Sequence, residues 1–95
     1  LAHILRVKAA EHYLEIHSEN GVETVRERMA TLLDQVDEDD GIQTHRSHWV
    51  AKAQAIKLSG SNLRLADGTD VPVARGRMDD VRQWLHGLEA DRLAG

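Results

Sequence analysis

The chain has 95 residues, the size of one domain with a single core. It contains no cysteine, which excludes disulfides and thiolate metal sites, and no apolar run reaches the roughly 20 residues of a membrane-spanning helix. The net charge of −4 argues against strong non-specific binding to polyanions.

Three strands are predicted in the first quarter of the chain. Residues 4–10 alternate apolar and basic side chains, which is typical of a half-buried strand. Residues 12–18 alternate in the same way and predict a second strand. The turn at residues 19–21 ends in a glycine, which suits a tight hairpin and leads into a third strand at about residues 22–26.

A helix is predicted next, because the spacing of apolar residues changes from two to 3.6. Its buried face would consist of Met29, Leu32, Leu33 and Val36. The acidic run at residues 37–40, which includes Glu38, opposes the dipole at the end of this helix, so we expect helical order to fade there. Residues 1–41 carry a net charge of −6. We expect this acidic part to face away from an anionic partner or to contact another domain.

The segment 42–78 has the opposite charge, +4. Residues 42–45 predict a short strand that enters a polar cluster at residues 44–50, with the sequence THRSHWV. This cluster is too polar for a core and unusually rich in hydrogen-bond donors for an ordinary loop. It predicts a recognition surface, because local positive charge matters more for binding an anion than the net charge of the chain.

The remaining predicted elements are three strands and a second helix. Residues 53–58 and 62–66 predict strands, and an Asp-Gly turn at residues 66–69 leads to a returning strand at residues 71–74. Pro72 lacks an N–H group, so this last strand should lie at a sheet edge or carry a bulge.

A C-terminal amphipathic helix is predicted from residue 78 onward. Its apolar face consists of Val81, Leu85 and Leu88, and two aspartates stand favourably in its first turn. The predicted fold is therefore mainly β, with elongated antiparallel sheets, one short helix between strands 3 and 4, and this C-terminal helix.

Arg46 stands at the end of a predicted strand, where a guanidinium can donate two hydrogen bonds to guanine or to a phosphate. An ion pair with an acidic neighbour such as Asp67 is the alternative. His45 and His48 would suit a metal ion if they lay on a helix, but no third ligand stands at a suitable spacing. No nucleophile accompanies them either, so we expect no metal, no cofactor and no enzymatic activity.

Other polar residues offer further donors. His12 begins the second predicted strand and can donate to a base edge or a phosphate, or simply be solvated. Arg75 and Arg77 flank Gly76 in a basic loop, which can reach an anionic partner or cap the preceding strand. Trp49 fits a core position beneath the polar cluster better than a position stacked on a base.

The order of these parts resembles the LytTR family of bacterial DNA-binding domains, found mostly at the C-terminus of response regulators. The similarity covers nearly the whole chain and includes residues 12–16 (HYLEI), 29–33 (MATLL), 41–50 (GIQTHRSHWV) and 63–75 (LRLADGTDVPVAR). The His-Arg-Ser element followed by an aromatic residue and Val is specific only together with the later Asp-Gly-Thr and Pro-Val-Ala-Arg.

The resemblance implies that loops at one edge of the sheets enter successive major grooves of DNA. The contacts carried over by position are His12, Arg46 and Arg75, flanked by His45, Ser47 and Arg77, with Lys52 on phosphates. One departure concerns the loop after the aromatic residue. Many members have Val-Asn where this chain has Val50-Ala51, so an amide that could lock a turn is missing.

The resemblance also implies a setting. We expect residues 1–95 to form a single domain, cut from a longer cytoplasmic transcription regulator because the chain opens on Leu1. Its partners would be promoter half-sites of double-stranded DNA, a second copy of the domain and the regulatory domain of the parent chain, with no membrane contact. The alternative is a protein-interaction or dimerisation module that uses the acidic face and the C-terminal helix, with Trp84, Leu88 and Leu93 on its surface.

Overall fold

The computed structural model describes residues 4–37 and 39–94. Leu1 and Glu38, which entered the sequence analysis, lie outside the described residues.

Five strands form one antiparallel sheet. The strands are β1 (Ile4–Ala9), β2 (Leu14–Ser18), β3 (Gly21–Val25), β4 (Gly41–His45) and β5 (His48–Ala51). They lie in the order β3-β2-β1-β5-β4, and every neighbouring pair is antiparallel. The short helix α1 (Met29–Leu33) connects β3 to β4.

Three further strands form a smaller antiparallel sheet. They are β6 (Ala55–Ser59), β7 (Asn62–Leu65) and β8 (Asp70–Pro72), in that spatial order. Single-turn 3₁₀ helices precede β6 (Lys52–Gln54) and follow β8 (Arg75–Arg77), and the helix α2 (Met78–Ala94) completes the chain. Pro72 lies on an edge strand, as its missing N–H group predicts.

Two apolar cores lie on opposite faces of the five-stranded sheet. The first lies beneath α1 and contains Val7, Leu14, Met29, Leu32, Trp49 and Ala51. The second lies between the two sheets and α2 and contains Val50, Ala55, Leu63, Leu65, Val71, Val73, Val81 and Leu85. Neighbouring residues of a strand point to opposite faces, so β5 contributes Trp49 to the first core and Val50 to the second.

Most of the predicted architecture is confirmed: a mainly β fold with two antiparallel sheets, a short helix between strands 3 and 4, and a C-terminal helix. The helix α1 ends at Leu33, before the acidic run, although Val36 still packs against the first core. The apolar face predicted for α2 is also confirmed, since Val81 and Leu85 are buried.

One strand and several element boundaries were predicted wrongly. Residues 48–51 form the strand β5, although the sequence predicts only a polar cluster there and places the start of the next strand at residue 53. Residue 53 lies in the 3₁₀ helix Lys52–Gln54, and β6 begins only at Ala55. Both faces of β5 are covered, so the alternation of apolar and polar residues that marks a half-buried strand is absent. β2 begins at Leu14 rather than at His12, which lies in the preceding turn.

Candidate nucleic-acid interface

Two turns lie side by side at one end of the five-stranded sheet. β1 and β5 are antiparallel neighbours, so the end of β1 lies beside the start of β5. The Ala9 N–H group donates a hydrogen bond to the Ser47 carbonyl oxygen at 2.7 Å. The β1–β2 turn, which contains His12, is therefore adjacent to the β4–β5 turn, which contains Arg46.

A buried threonine holds the loop after β8 against the same end. Thr44 is fully buried at a register shift of β4, and bulges of this kind re-aim a side chain. Its hydroxyl donates to the Pro72 carbonyl oxygen at 3.0 Å, and its own carbonyl accepts a hydrogen bond from the Ala74 N–H group at 2.9 Å. Arg75 follows directly, so it is anchored close to the β4–β5 turn.

We call this end of the molecule the turn end; it comprises the β1–β2 turn, the β4–β5 turn and the 3₁₀ helix Arg75–Arg77. His12, Arg46 and Arg75 each come from a different one of these segments, and all three are exposed. None of them has an ion-pair partner in the part of the chain that the structure describes. The turn end therefore presents side chains that are free to bind an anion.

Among the described residues, Arg64 on the smaller sheet is paired with a carboxylate, unlike the arginines of the turn end. Arg64 forms a bidentate pair with Asp70, at 2.9 and 3.2 Å, and this pair lowers the pKa of the Asp70 carboxyl. The alternative partner considered for Arg46 is engaged elsewhere: Asp67 accepts a hydrogen bond from the Thr69 N–H group at 2.9 Å, which lowers the pKa of Asp67.

The ring of His45 is oriented by the turn that follows it. The Ser47 N–H group donates to Nδ1 of His45 at 3.2 Å, and the Ser47 hydroxyl lies 2.9 Å from the same nitrogen. Because Nδ1 accepts a backbone hydrogen bond, the proton of the neutral ring resides on Nε2. His45 therefore offers a fixed Nε2–H donor beside Arg46.

His45 and His48 face each other across the β4–β5 hairpin rather than along a helix. Their ring centroids lie 5.7 Å apart in an edge-to-face arrangement. Partial burial lowers the pKa of His48, and the nearby His45, Lys8 and Arg6 lower it further. Within residues 4–37 and 39–94, no group of three or more potential ligands could hold a metal ion.

Arg77 and Lys52 occupy different surroundings from the other predicted contacts. Arg77 is half-buried, and its guanidinium donates to the Gln43 carbonyl oxygen at 3.4 Å, so it helps to hold the 3₁₀ helix against β4. Lys52 lies at the opposite end of β5, where its N–H group donates to the Asp40 carbonyl oxygen at 3.0 Å. The structure therefore does not bring Lys52 to the turn end, and its contact with DNA stays a prediction.

Two arginines that the sequence analysis did not single out lie beside His12. β3 pairs with β2 so that Val25 lies opposite Leu14, which carries the chain after β3 to the turn end. Arg26 and Arg28 there line a surface groove of about 570 Å³ together with His12, Thr31 and two carboxylates, Glu11 and Glu27. The sequence signal for these residues was two arginines close together at the end of a predicted strand. The net negative charge of residues 1–41 made this local positive charge easy to miss.

Comparisons with known proteins identify the family and support the fold. A family model described as the LytTr DNA-binding domain matches residues 1–86. The fold is similar to a solved structure described as the LytTr DNA-binding domain of a methyl-accepting/DNA response regulator from Bacillus cereus, with a TM-score of 0.76 and 19% sequence identity. The match covers 88% of this chain and 82% of that chain. No curated protein sequence matches the chain. Neither described α-helix combines the length and apolar character needed to cross a membrane.

Proposed function

The chain belongs to the LytTR family of DNA-binding domains, and on that premise we propose that it binds promoter DNA sequence-specifically by inserting the loops of the turn end into successive major grooves. DNA binding in transcription regulation is the general function of this family, which is not a family of enzymes. The proposal concerns the part of the surface that contacts DNA and the side chains that determine its sequence preference.

The observation that carries the proposal is the position of His12, Arg46 and Arg75. They are remote in sequence, lie on three adjoining segments of one end, and have no ion-pair partner among the described residues. A guanidinium without a carboxylate partner can bind DNA without first breaking an ion pair. The turn end is therefore better prepared to bind DNA than the surface around Arg64, whose charge is neutralised.

The β4–β5 hairpin fits the shape of the major groove. It ends in a two-residue turn, Arg46-Ser47, at the edge of the five-stranded sheet, and such a turn is narrow compared with a major groove about 12 Å wide. Arg46 at its tip is proposed to donate two hydrogen bonds to guanine, while His45 and Ser47 contact the flanking bases or phosphates. His12 and Arg75 are proposed to contact bases or phosphates from the two adjoining segments. Arg77 is proposed to support Arg75 by holding its 3₁₀ helix against β4.

Selection of preferred sites from a random duplex library tests this proposal. A clear consensus is expected, and on that consensus Arg46→Ala should cost about 1–3 kcal/mol, the value of one bidentate base contact. The matched control is Arg82→Ala on α2, whose guanidinium pairs with Asp79. An equal loss on all sequences would reduce Arg46 to a phosphate anchor, and no binding to any duplex at low ionic strength would refute the proposal.

We further propose that two copies bind neighbouring half-sites in the cytoplasm under the control of a regulatory domain. A single module of this size buries limited DNA surface, and pairing increases specificity. The similar Bacillus cereus structure is described as part of a response regulator, which supports a regulatory domain as the partner. Light scattering of the protein with and without a two-site duplex tests the pairing.

A protein-interaction surface on α2 is the second candidate function. Leu93 is 90% exposed, and Trp84 and Leu88 are only partly buried against the second core. An exposed leucine near the end of a helix suits contact with a second copy or another domain. Leu93→Ser should then lower the oligomeric mass in light scattering without changing the affinity of a single half-site; unchanged mass would count against this surface.

A further inference from the structure

A pair of basic residues on the face of the five-stranded sheet extends the turn end. Lys8 on β1 lies directly opposite His48 on β5, and side chains in this cross-strand relation stand on the same face, with Cβ atoms roughly 4.5–5.5 Å apart. The next residue of β1, Ala9, is bonded to Ser47 of the β4–β5 turn. The Lys8–His48 pair is therefore directly adjacent to the tip that carries Arg46.

The surroundings of this pair are mainly basic. Arg6 stands two residues earlier on the same face of β1, and the ring of His45 approaches His48 from β4. Two carboxylates also lie near this face: Glu15 on β2 is the cross-strand partner of Lys8, and Asp67 precedes β8, with a pKa that is lowered by its hydrogen bonds to Thr69 and also by the nearby Arg6. The charged groups that act on His48 itself are His45, Lys8 and Arg6. Neither Lys8 nor His48 has an ion-pair partner in the described parts of the chain.

We infer that Lys8 and His48 form a phosphate-binding site that holds the DNA backbone beside the major groove entered by the β4–β5 turn. The inference rests on the proposed function, because it requires DNA at the turn end. Protonation of His48 would place two like charges directly opposite each other, which destabilises a strand pair, and a phosphate between Lys8 and His48 offsets that repulsion. Lysine binds phosphate as a point charge, and the imidazole adds a directed donor.

The titration of His48 supports this geometry. Burial and the nearby basic groups His45, Lys8 and Arg6 lower its pKa below 6.5, so the free protein has a neutral ring near neutral pH. A bound phosphate brings negative charge to the same position and favours the protonated ring. DNA affinity should therefore rise as pH falls from neutral into the acidic range, and His48 should supply part of this rise.

The test measures the salt dependence of DNA affinity by fluorescence anisotropy, on the duplex chosen by site selection and on an unrelated duplex. Lys8→Gln should reduce the slope of log Kd against log salt concentration by about 1, the value of one lost phosphate contact. The loss of affinity should be the same on both duplexes, because a phosphate contact carries no sequence information. His48→Gln should flatten the rise in affinity at acidic pH.

Control experiments distinguish the loss of this phosphate contact from a general change in net charge and from misfolding. Lys8→Arg keeps the charge and should restore the slope. Arg82→Gln on α2 removes an equal charge, outside the five-stranded sheet and already paired with Asp79, and should leave the slope unchanged. Thermal unfolding monitored by circular dichroism should be similar for Lys8→Gln and Lys8→Arg. If Lys8→Gln keeps the full slope while Arg46→Ala still weakens binding, the inference is wrong and the proposed function stands. If the unchanged protein binds no duplex, both fail.

Discussion

The Thr44 hydroxyl donates to the Pro72 carbonyl oxygen at 3.0 Å, across the contact between the two sheets. Thr44 is fully buried, and its carbonyl oxygen also accepts a hydrogen bond from Ala74. One residue therefore positions two of the segments that we propose contact DNA, since Arg46 follows it by two residues in the hairpin and Arg75 follows its bonded partner. The relative placement of the two arginines depends on this buried junction.

Replacing Thr44 by valine should destabilise the protein by about 1–3 kcal/mol, because the hydroxyl is lost and the Pro72 carbonyl loses its partner. The affinity for the selected duplex should also fall, as Arg75 loses part of its anchor. Urea unfolding and anisotropy measure the two effects. Thr44→Ser retains the hydroxyl and should keep DNA binding close to the original. A loss in Thr44→Ser with no loss in Thr44→Val would show that the methyl group, and not the hydrogen bond, matters.

Gly41→Ala should destabilise the protein by about 1–3 kcal/mol or more, through overpacking. A Cβ atom at Gly41 would lie 2.6 Å from the Trp49 ring and would clash with the backbone carbonyl of Val50. The Val50 carbonyl belongs to β5, which is paired on both sides with β1 and β4. Its backbone cannot move away easily, so β4 would be displaced from β5. Urea unfolding followed by tryptophan fluorescence measures the loss. Gly76→Ala is the control, because open space surrounds that position; equal stability of both variants would contradict the argument.

The sequence predicted the half-buried strands and the buried faces of the helices, since these have a regular period. It did not predict β5, because Trp49 and Val50 are buried on opposite faces, and flanking polar residues obscured the strand. The resemblance to a family placed His12, Arg46 and Arg75 on one edge. From the residues alone that convergence has no local signal, because it depends on β1–β5 pairing and on the hydrogen bonds of Thr44.

Lys52 illustrates the limit of transferring positions along a sequence. It stands only six residues after Arg46 in the chain, but β5 runs away from the turn end and carries it to the opposite end of the sheet. Arg26 and Arg28 show the converse, because β3 returns them to the side of His12. The positions of Lys52 and of the two arginines therefore depend on the directions of β5 and β3. Those directions follow from the pairing order of the strands, which the sequence does not reveal.

Ser47→Ala should weaken binding to the selected duplex by about 0.5–1.5 kcal/mol. The Ser47 hydroxyl lies 2.9 Å from Nδ1 of His45, and its loss leaves the ring held by the Ser47 N–H group alone. The stability should change little, because the residue lies in a surface turn. Anisotropy on the selected duplex provides the measurement. Ser18→Ala, in the turn at the other end of the sheet, should leave the affinity unchanged; an equal loss there would argue against an oriented His45.

Acid should destabilise the protein through the turn between β7 and β8. The pKa of Asp70 is lowered by its hydrogen bonds to Arg64, and that of Asp67 by its hydrogen bonds to Thr69. Folded-state pKa values below 3.8 mean that this stabilisation is fully present above that pH and is lost as pH falls through the lowered values. Asp70→Asn should therefore show a shallower fall of the urea midpoint with acid than the unchanged protein. Identical profiles would remove Asp70 as a contributor.

Arg46→Ala and Arg75→Ala should relax the base preference at two different positions of the selected site. The two arginines lie on separate segments, the β4–β5 turn and the 3₁₀ helix after β8, so each is expected to contact its own base pair. Each variant should lose about 1–3 kcal/mol on the consensus, and the losses should add approximately in the double variant. Site selection repeated with each variant locates the relaxed position. Relaxation of the same base pair by both variants would mean that the two side chains share one contact, and the loops would not enter separate parts of the groove.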